Sequence, residues 1–230
     1  MKKIMFDDKF MLTQAVLEGR KTQTRRIIKT SDAFERVNTD FDWSKEDIKN
    51  WEDDFVLRVK NMSETERKEC FNYLLNHPKY KVGEIVAVAQ SYCSIADELE
   101  NCNNATCAAH YEKNIQKASE YISWMEHPGF NNKLFVAADR MIHEIRITNV
   151  RIERLQDISD EDCLKESVVK CDAEDCNNRC YLMSKCDFCH CGNAKYTPRE
   201  AYAALIDKVG KKGTWDSNPY VFVYDFELVK

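Results

Sequence analysis

Phe10-Met11-Leu12-Thr13-Gln14-Ala15-Val16-Leu17-Glu18-Gly19-Arg20-Lys21-Thr22-Gln23-Thr24-Arg25-Arg26-Ile27-Ile28 changes its period at the glycine. Residues 10–18 read as a short amphipathic helix, with Gly19 just past its C-terminus where a left-handed backbone is wanted. Beyond Gly19 the chain reads as extended: Thr22, Thr24 and then Ile27-Ile28 alternate like a strand entering a core. A helix that hands over to a strand in this way presents Lys21 and Thr24 together at the mouth of a small sheet or barrel. The turn also carries Arg20, Lys21, Arg25 and Arg26. Clustered cations attract a phosphate or another anion, and a hydroxyl beside a lysine can act as nucleophile and base. A solvated basic turn is the plain alternative.

Working outward, the 230 residues suffice for one good core with appendages. The net charge of −5 rules out a general basic field, so any nucleic-acid contact must come from a local patch, and the N-terminal turn supplies the best one. Six glycines and four prolines argue against long flexible linkers. No apolar run of about 18 residues exists, and Met1 to Asp8 lacks a signal-peptide h-region, so the expectation is a cytoplasmic protein without membrane contact.

Further strands are expected at 133–138, at 142–147, and at 150–155 beyond a Thr148-Asn149 turn. Ser159 reads as the cap of a helix with Asp160, Glu161 and Asp162 in its first turn. Thr197-Pro198-Arg199-Glu200 combines an N-cap, a proline at the first helical position and a glutamate at the third, opening a helix that stops at Gly210. Tyr220 to Leu228 closes the chain as a strand. Such a mixture fits an α+β or β-barrel fold, not a doubly wound sheet. Two helical insertions interrupt it, at about 31–78 and 93–130. In the first, Ser44 and Ser63 look like caps, and Trp43, Trp51, Phe55, Phe71, Tyr73 and Leu74 are residues to pin its helices. In the second, Tyr111, Ile115, Ala118, Ile122 and Met125 mark one apolar helix face.

Eleven cysteines in a reducing compartment suggest metal binding or free thiols rather than disulfides. Cys171, Cys176, Cys180, Cys186, Cys189, His190 and Cys191 crowd a third insertion, about 170–195, read as a candidate zinc knuckle. Short spacings let one loop wrap a tetrahedral ion, with Cys186 and Cys189 as the knuckle, Cys176 and Cys180 as the preferred partners, and Cys171, His190 and Cys191 as alternates. Such a zinc would be structural. Unpaired or disulfide-linked thiols and an iron–sulfur cluster remain open, as does the choice of four ligands. Cys163 reads as a core residue.

Gly19-x-Lys21-Thr22-x-Thr24-x-Arg26 resembles the signature of ASCH domains, small members of the PUA-like β-barrel group. Lys81 to Val88 resembles that family's turn and buried strand, Leu155 to Glu166 its capped helix ending in a glutamate, and Thr214 to Leu228 the closing strand of phage- and prophage-borne relatives. The pieces stand in family order and cover roughly half the chain. The resemblance implies a single domain over 1–230 with an α+β, PUA-like mixed β-barrel and short helices, elaborated by the three insertions.

In bacterial N4-acetylcytidine amidohydrolases, a lysine and a threonine of this signature act with the later glutamate. The resemblance places those roles on Lys21, Thr24 and Glu166, although Ser167 stands where relatives commonly carry glycine. Thr24 would attack the amide carbonyl, Lys21 would take its proton, Glu166 would orient the lysine or carry a proton to the leaving amine, and Arg26 could hold an oxyanion or a phosphate. By composition alone, Glu166 would be a solvated surface residue. A non-catalytic module binding a nucleoside, RNA or another single strand would use Arg20, Thr22, Arg25 and Arg26 on phosphate and Tyr92 or Trp215 on a base. Trp215 also reads as a core anchor for its turn. A phage accessory protein acting through a protein partner is the third alternative.

Overall fold

The computed structural model describes residues 1–28, 59–100, 128–172, 180–184 and 195–229. Five strands form one mixed sheet in the order β1-β3-β4-β7-β2: β1 Lys3–Ile4, β2 Gln23–Ile27, β3 Ile85–Val88, β4 Glu144–Arg154 and β7 Tyr220–Val229. Only β1 and β3 run parallel; the other pairs are antiparallel. A small hairpin, β5 Val169–Lys170 with β6 Tyr181–Leu182, lies apart from this sheet. Among the described residues the α-helices are α1 Leu12–Leu17, α2 Glu64–Asn76, α3 Tyr92–Glu100, α4 Asp160–Lys165, α5 Pro198–Val209 and α6 Thr214–Ser217. The architecture is therefore α+β, and no helix among the described residues is long and apolar enough to cross a membrane.

The long β7 strand is the spine of the sheet. Val221, Phe222, Val223 and Tyr224 are all buried, as a strand with both faces covered must be. One set of neighbours is aromatic: Tyr224 meets Tyr80 edge-on at 5.4 Å, and Phe226 meets Phe6 at 5.9 Å. Cys163 from α4, and Ala201, Tyr202 and Leu205 from α5, belong to the same core.

Local signals were followed closely. Gly19 takes φ +70°; its amide and that of Arg20 close on the carbonyls of Val16 and Ala15 at 2.9 Å, the paired bonds of a Schellman stop. Ser63 and Glu66 form a reciprocal capping box on α2, which Leu74 anchors by burial and Phe71 by an edge contact with Tyr220. Tyr73 instead stacks on His77 of its own helix. Ser159 and Thr197 cap α4 and α5 through the amides of Asp162 and Glu200.

Three expectations change. Thr148-Asn149 is not a turn between two strands: Ile147 pairs with Phe226 and Asn149 with Asp225, so Thr148 is the extra residue of a bulge within one continuous β4. The 133–138 stretch is not a strand but a 3-10 turn, Lys133–Phe135, followed by a second at Ala138–Arg140. Lys3 Nζ gathers the carbonyls of Lys133, Leu134 and Val136 at 2.7–3.0 Å, and carbonyls that alternate along a strand could not converge in this way.

The third change concerns closure. Among the described residues the sheet is open rather than a closed barrel, because β1 is two residues long and pairs only with β3, while β2 pairs only with β7. A side chain spans the two edges instead: Arg26 Nη2 on β2 donates to the carbonyl of Met5 just after β1, at 2.5 Å. The helix caps expected at Ser44, the aromatic residues Trp43, Trp51 and Phe55, and the apolar face from Tyr111 to Met125 lie outside the described residues.

Candidate functional site

The Schellman stop fixes where Lys21 leaves α1, and the amide of Thr22 then donates to the carbonyl of Lys165 at 3.0 Å, drawing the turn against the end of α4. Glu166 is the residue that terminates α4. Lys21 Nζ consequently donates to Glu166 Oε2 at 2.5 Å and to the Glu166 carbonyl at 3.1 Å, across 145 positions of sequence. Lys21 and Glu166 are 2% and 4% exposed, so this is a buried ion pair and not the solvated helix residue that composition suggested. Burial pushes the Lys21 amine below its ordinary pKa, with Arg26 and Arg25 adding to the effect and Glu166 opposing it.

The pair belongs to a larger charge cluster. Arg25 Nη1 donates to Glu166 Oε1 at 3.1 Å and also to Gln23 Oε1, while Arg25 Nε and Nη2 reach Glu153 Oε1 at 3.0 and 2.6 Å. Arg25 Nη2 lies 3.3 Å from Asp162 Oδ2, which Arg151 also contacts at 2.6 Å before reaching Asp225 at 2.8 Å. With Lys165 on Asp162, Lys21, Arg25, Arg151 and Lys165 face Glu153, Asp162, Glu166 and Asp225, four charges of each sign. Burial works against the Arg25 charge, but Glu166, Tyr202 and Glu153 outweigh it and raise its pKa. Burial works against the Asp162 carboxylate too, yet Lys165 and Arg151 hold it below the ordinary range. The Tyr202 ring packs 5.9 Å from the Arg25 guanidinium carbon, and burial raises its phenol well above the usual value.

Thr24 is buried at 5% exposure, and strand alternation puts it on the face of β2 opposite Gln23 and Arg25. Arg26, besides its bond to Met5, lies over the Phe6 ring at 5.7 Å, and Lys21 Nζ stands 5.8 Å from the same ring. Arg20 Nε binds Glu18 at 2.5 Å, whereas Nη1 and Nη2 are buried without a partner among the described residues. Tyr92 opens α3 and packs on the smaller apolar cluster of Ala87, Ala89, Ile95, Val136 and Met141. Trp215 meets Tyr202 edge-on at 6.2 Å and carries Arg199 at 5.4 Å, a core anchor.

A cavity of about 630 Å³ lies elsewhere, lined in part by Thr13, Leu17, Gln90, Asp97 and Glu98 and by none of Lys21, Thr24 or Glu166. Of the cysteine cluster, Cys171 and Cys180 are described: both are buried, and the Cys171 amide donates to the Cys180 carbonyl at 2.9 Å. Cys176, Cys186, Cys189, His190 and Cys191 lie outside the described residues. No family model, curated protein or solved structure matches the chain.

Sequence reading did not single out Gln23, Arg151, Glu153, Asp162 or Asp225 as site residues. The one available signal was Arg151-x-Glu153, opposite charges two apart and so on one face of a strand. Ser167 takes a φ of +94°, a left-handed backbone that favours glycine, and among the described residues its buried hydroxyl has no partner. Strain of this kind costs on the order of 1–3 kcal/mol. Ser167→Gly is expected to stabilise the chain by about 1–2 kcal/mol in denaturant unfolding, after allowing for glycine's larger unfolded-state entropy. A loss of stability instead would mean that the serine conformation is unstrained.

Proposed function

We propose that the chain is a hydrolase of the ASCH type that removes an acyl group from the exocyclic amine of a cytidine-like nucleoside. The observation that carries the reading is the buried Lys21–Glu166 contact at 2.5 Å, with Thr24 buried close by in sequence near the start of β2. Thr24 Oγ1 attacks the amide carbonyl while Lys21, in its neutral form, takes the hydroxyl proton. The carbon–nitrogen bond then breaks, and the amine leaves with a proton returned from Lys21. Water hydrolyses the acyl-threonine ester to free acid and regenerated hydroxyl. Glu166 holds Lys21 and stabilises its charged form between these transfers. Because the three residues are almost closed to solvent, substrate entry requires local opening.

Incubation with N4-acetylcytidine tests the reading: the wild-type chain is expected to release cytidine and acetate, and Thr24→Ala to release neither. Equal turnover by both would remove Thr24 from the mechanism. A second reading, capture of RNA or a single strand without catalysis, is favoured by the two unpartnered nitrogens of Arg20. It predicts salt-sensitive RNA binding that Arg20→Ala weakens, and it fails if nothing binds at low salt.

A structural zinc on the cysteine insertion belongs to the same proposal. Soft thiols suit zinc, and the backbone bond between Cys171 and Cys180 starts two of them from adjacent positions of one hairpin. Purified protein is expected to carry about one zinc per chain by elemental analysis. Cys180→Ala should lower that content. Protein that is metal-free after growth in zinc-supplemented medium would sink the assignment.

A further inference from the structure

We infer that Arg25 is a positioning residue for Glu166, and through Glu166 for Lys21, rather than a contact for substrate phosphate. Its catalytic consequence rests on the hydrolase reading above; its geometry does not. A carboxylate offers two oxygens, and here each is taken by a different cation: Oε2 by Lys21 at 2.5 Å and Oε1 by Arg25 at 3.1 Å. The carboxylate is therefore fixed in rotation as well as position, with Oε2 left facing the amine. A lone lysine contact could not do this, because an ammonium is a point charge with rotatable donors.

Arg25 can orient Glu166 because it is itself held from three other directions. Glu153 on β4 receives Nε and Nη2, Asp162 on α4 receives Nη2, and Gln23 on β2 receives Nη1. Gln23 is in turn fixed by its amide nitrogen on Asp225 Oδ1 at 2.6 Å, and Arg151 ties Asp225, Asp162 and Glu153 together. The fork thus links two strands of the sheet to the helix that ends in Glu166. With 1% of its side chain exposed, Arg25 cannot offer its donors to a phosphate without dismantling these bonds. The like charge of Arg25 also works against protonation of Lys21, in the direction a general base requires.

The test uses the full chain with Arg25→Lys, which keeps the charge and loses the planar fork. Two readouts are taken: exchange of the Lys21 ammonium protons with water, followed by NMR below neutral pH and assigned by Lys21→Arg, and the split of kcat from KM on N4-acetylcytidine. Positioning predicts exchange faster by about tenfold or more as the pair loosens. It also predicts kcat down by about 100-fold with KM little changed. Arg25→Gln is the second variant; without the neighbouring cation, the Lys21 titration midpoint should rise. Should that variant fail to fold, the Arg25→Lys readouts decide. Wild-type exchange together with wild-type kcat in Arg25→Lys overturns the inference. A chain that turns over no acylated cytidine, yet shows the faster exchange, keeps the positioning role and loses the hydrolase reading.

Discussion

Arg25→Ala is expected to destabilise the folded chain by about 3–5 kcal/mol, the cost of leaving buried charge without its partner. At about 2–4 °C per kcal/mol for a chain of this size, the melting temperature should fall by roughly 6–20 °C. Glu153, Asp162 and Glu166 each lose a cationic donor in that variant, and Glu166 is left with Lys21 alone. Arg146→Ala provides the contrast. Arg146 pairs with Glu227 at 3.0 Å with both side chains about half exposed, so its loss should cost no more than about 1 kcal/mol. The stability of the wild-type chain should also fall in acid. Asp162 is held below its ordinary pKa, so its share of the stability is fully present above about pH 4 and disappears as pH falls through the lowered value. A thermal scan showing Arg25→Ala and Arg146→Ala to be equally mild would mean that water already solvates the cluster.

What the sequence made legible was local. A glycine stop, three serine or threonine caps and a buried strand after Gly83 are each decided by residues within a few positions of one another, and each appears where it was expected. What misled was non-local. Thr148-Asn149 has turn chemistry, but β7 is long enough to pair on both sides of it and converts the turn into a bulge. Lys133 to Ala138 has strand composition, but Lys3, far away at the N-terminus, collects its carbonyls. The site divides in the same way. Lys21, Thr24 and Glu166 came from resemblance, while the work of Arg25 was unreadable because its carboxylate partners lie 128, 137 and 141 residues away. Glu166 departed from its compositional expectation for the same reason: a buried carboxylate must be paired, and the Lys21 and Arg25 that pair it are far from it in sequence.

Lys21→Arg is expected to abolish turnover while leaving the fold in place. Arginine keeps a cation opposite Glu166, so the buried pair is not stripped of charge and the melting temperature should stay near that of wild type. Its guanidinium does not give up a proton at accessible pH, however, and cannot accept one from Thr24. General-base assistance contributes typically about 10²–10⁴-fold, and kcat/KM for N4-acetylcytidine should fall by that factor. The pH profile supplies the companion measurement. In the proposed reaction Lys21 acts in its neutral form, and burial holds its pKa below the ordinary lysine value, so kcat/KM in wild type should rise with pH through that lowered value and level off before about pH 10. A flat profile would remove the amine as the titrating base. An arginine variant with wild-type turnover would do so more directly, because it would show catalysis proceeding with no group at position 21 able to take the proton.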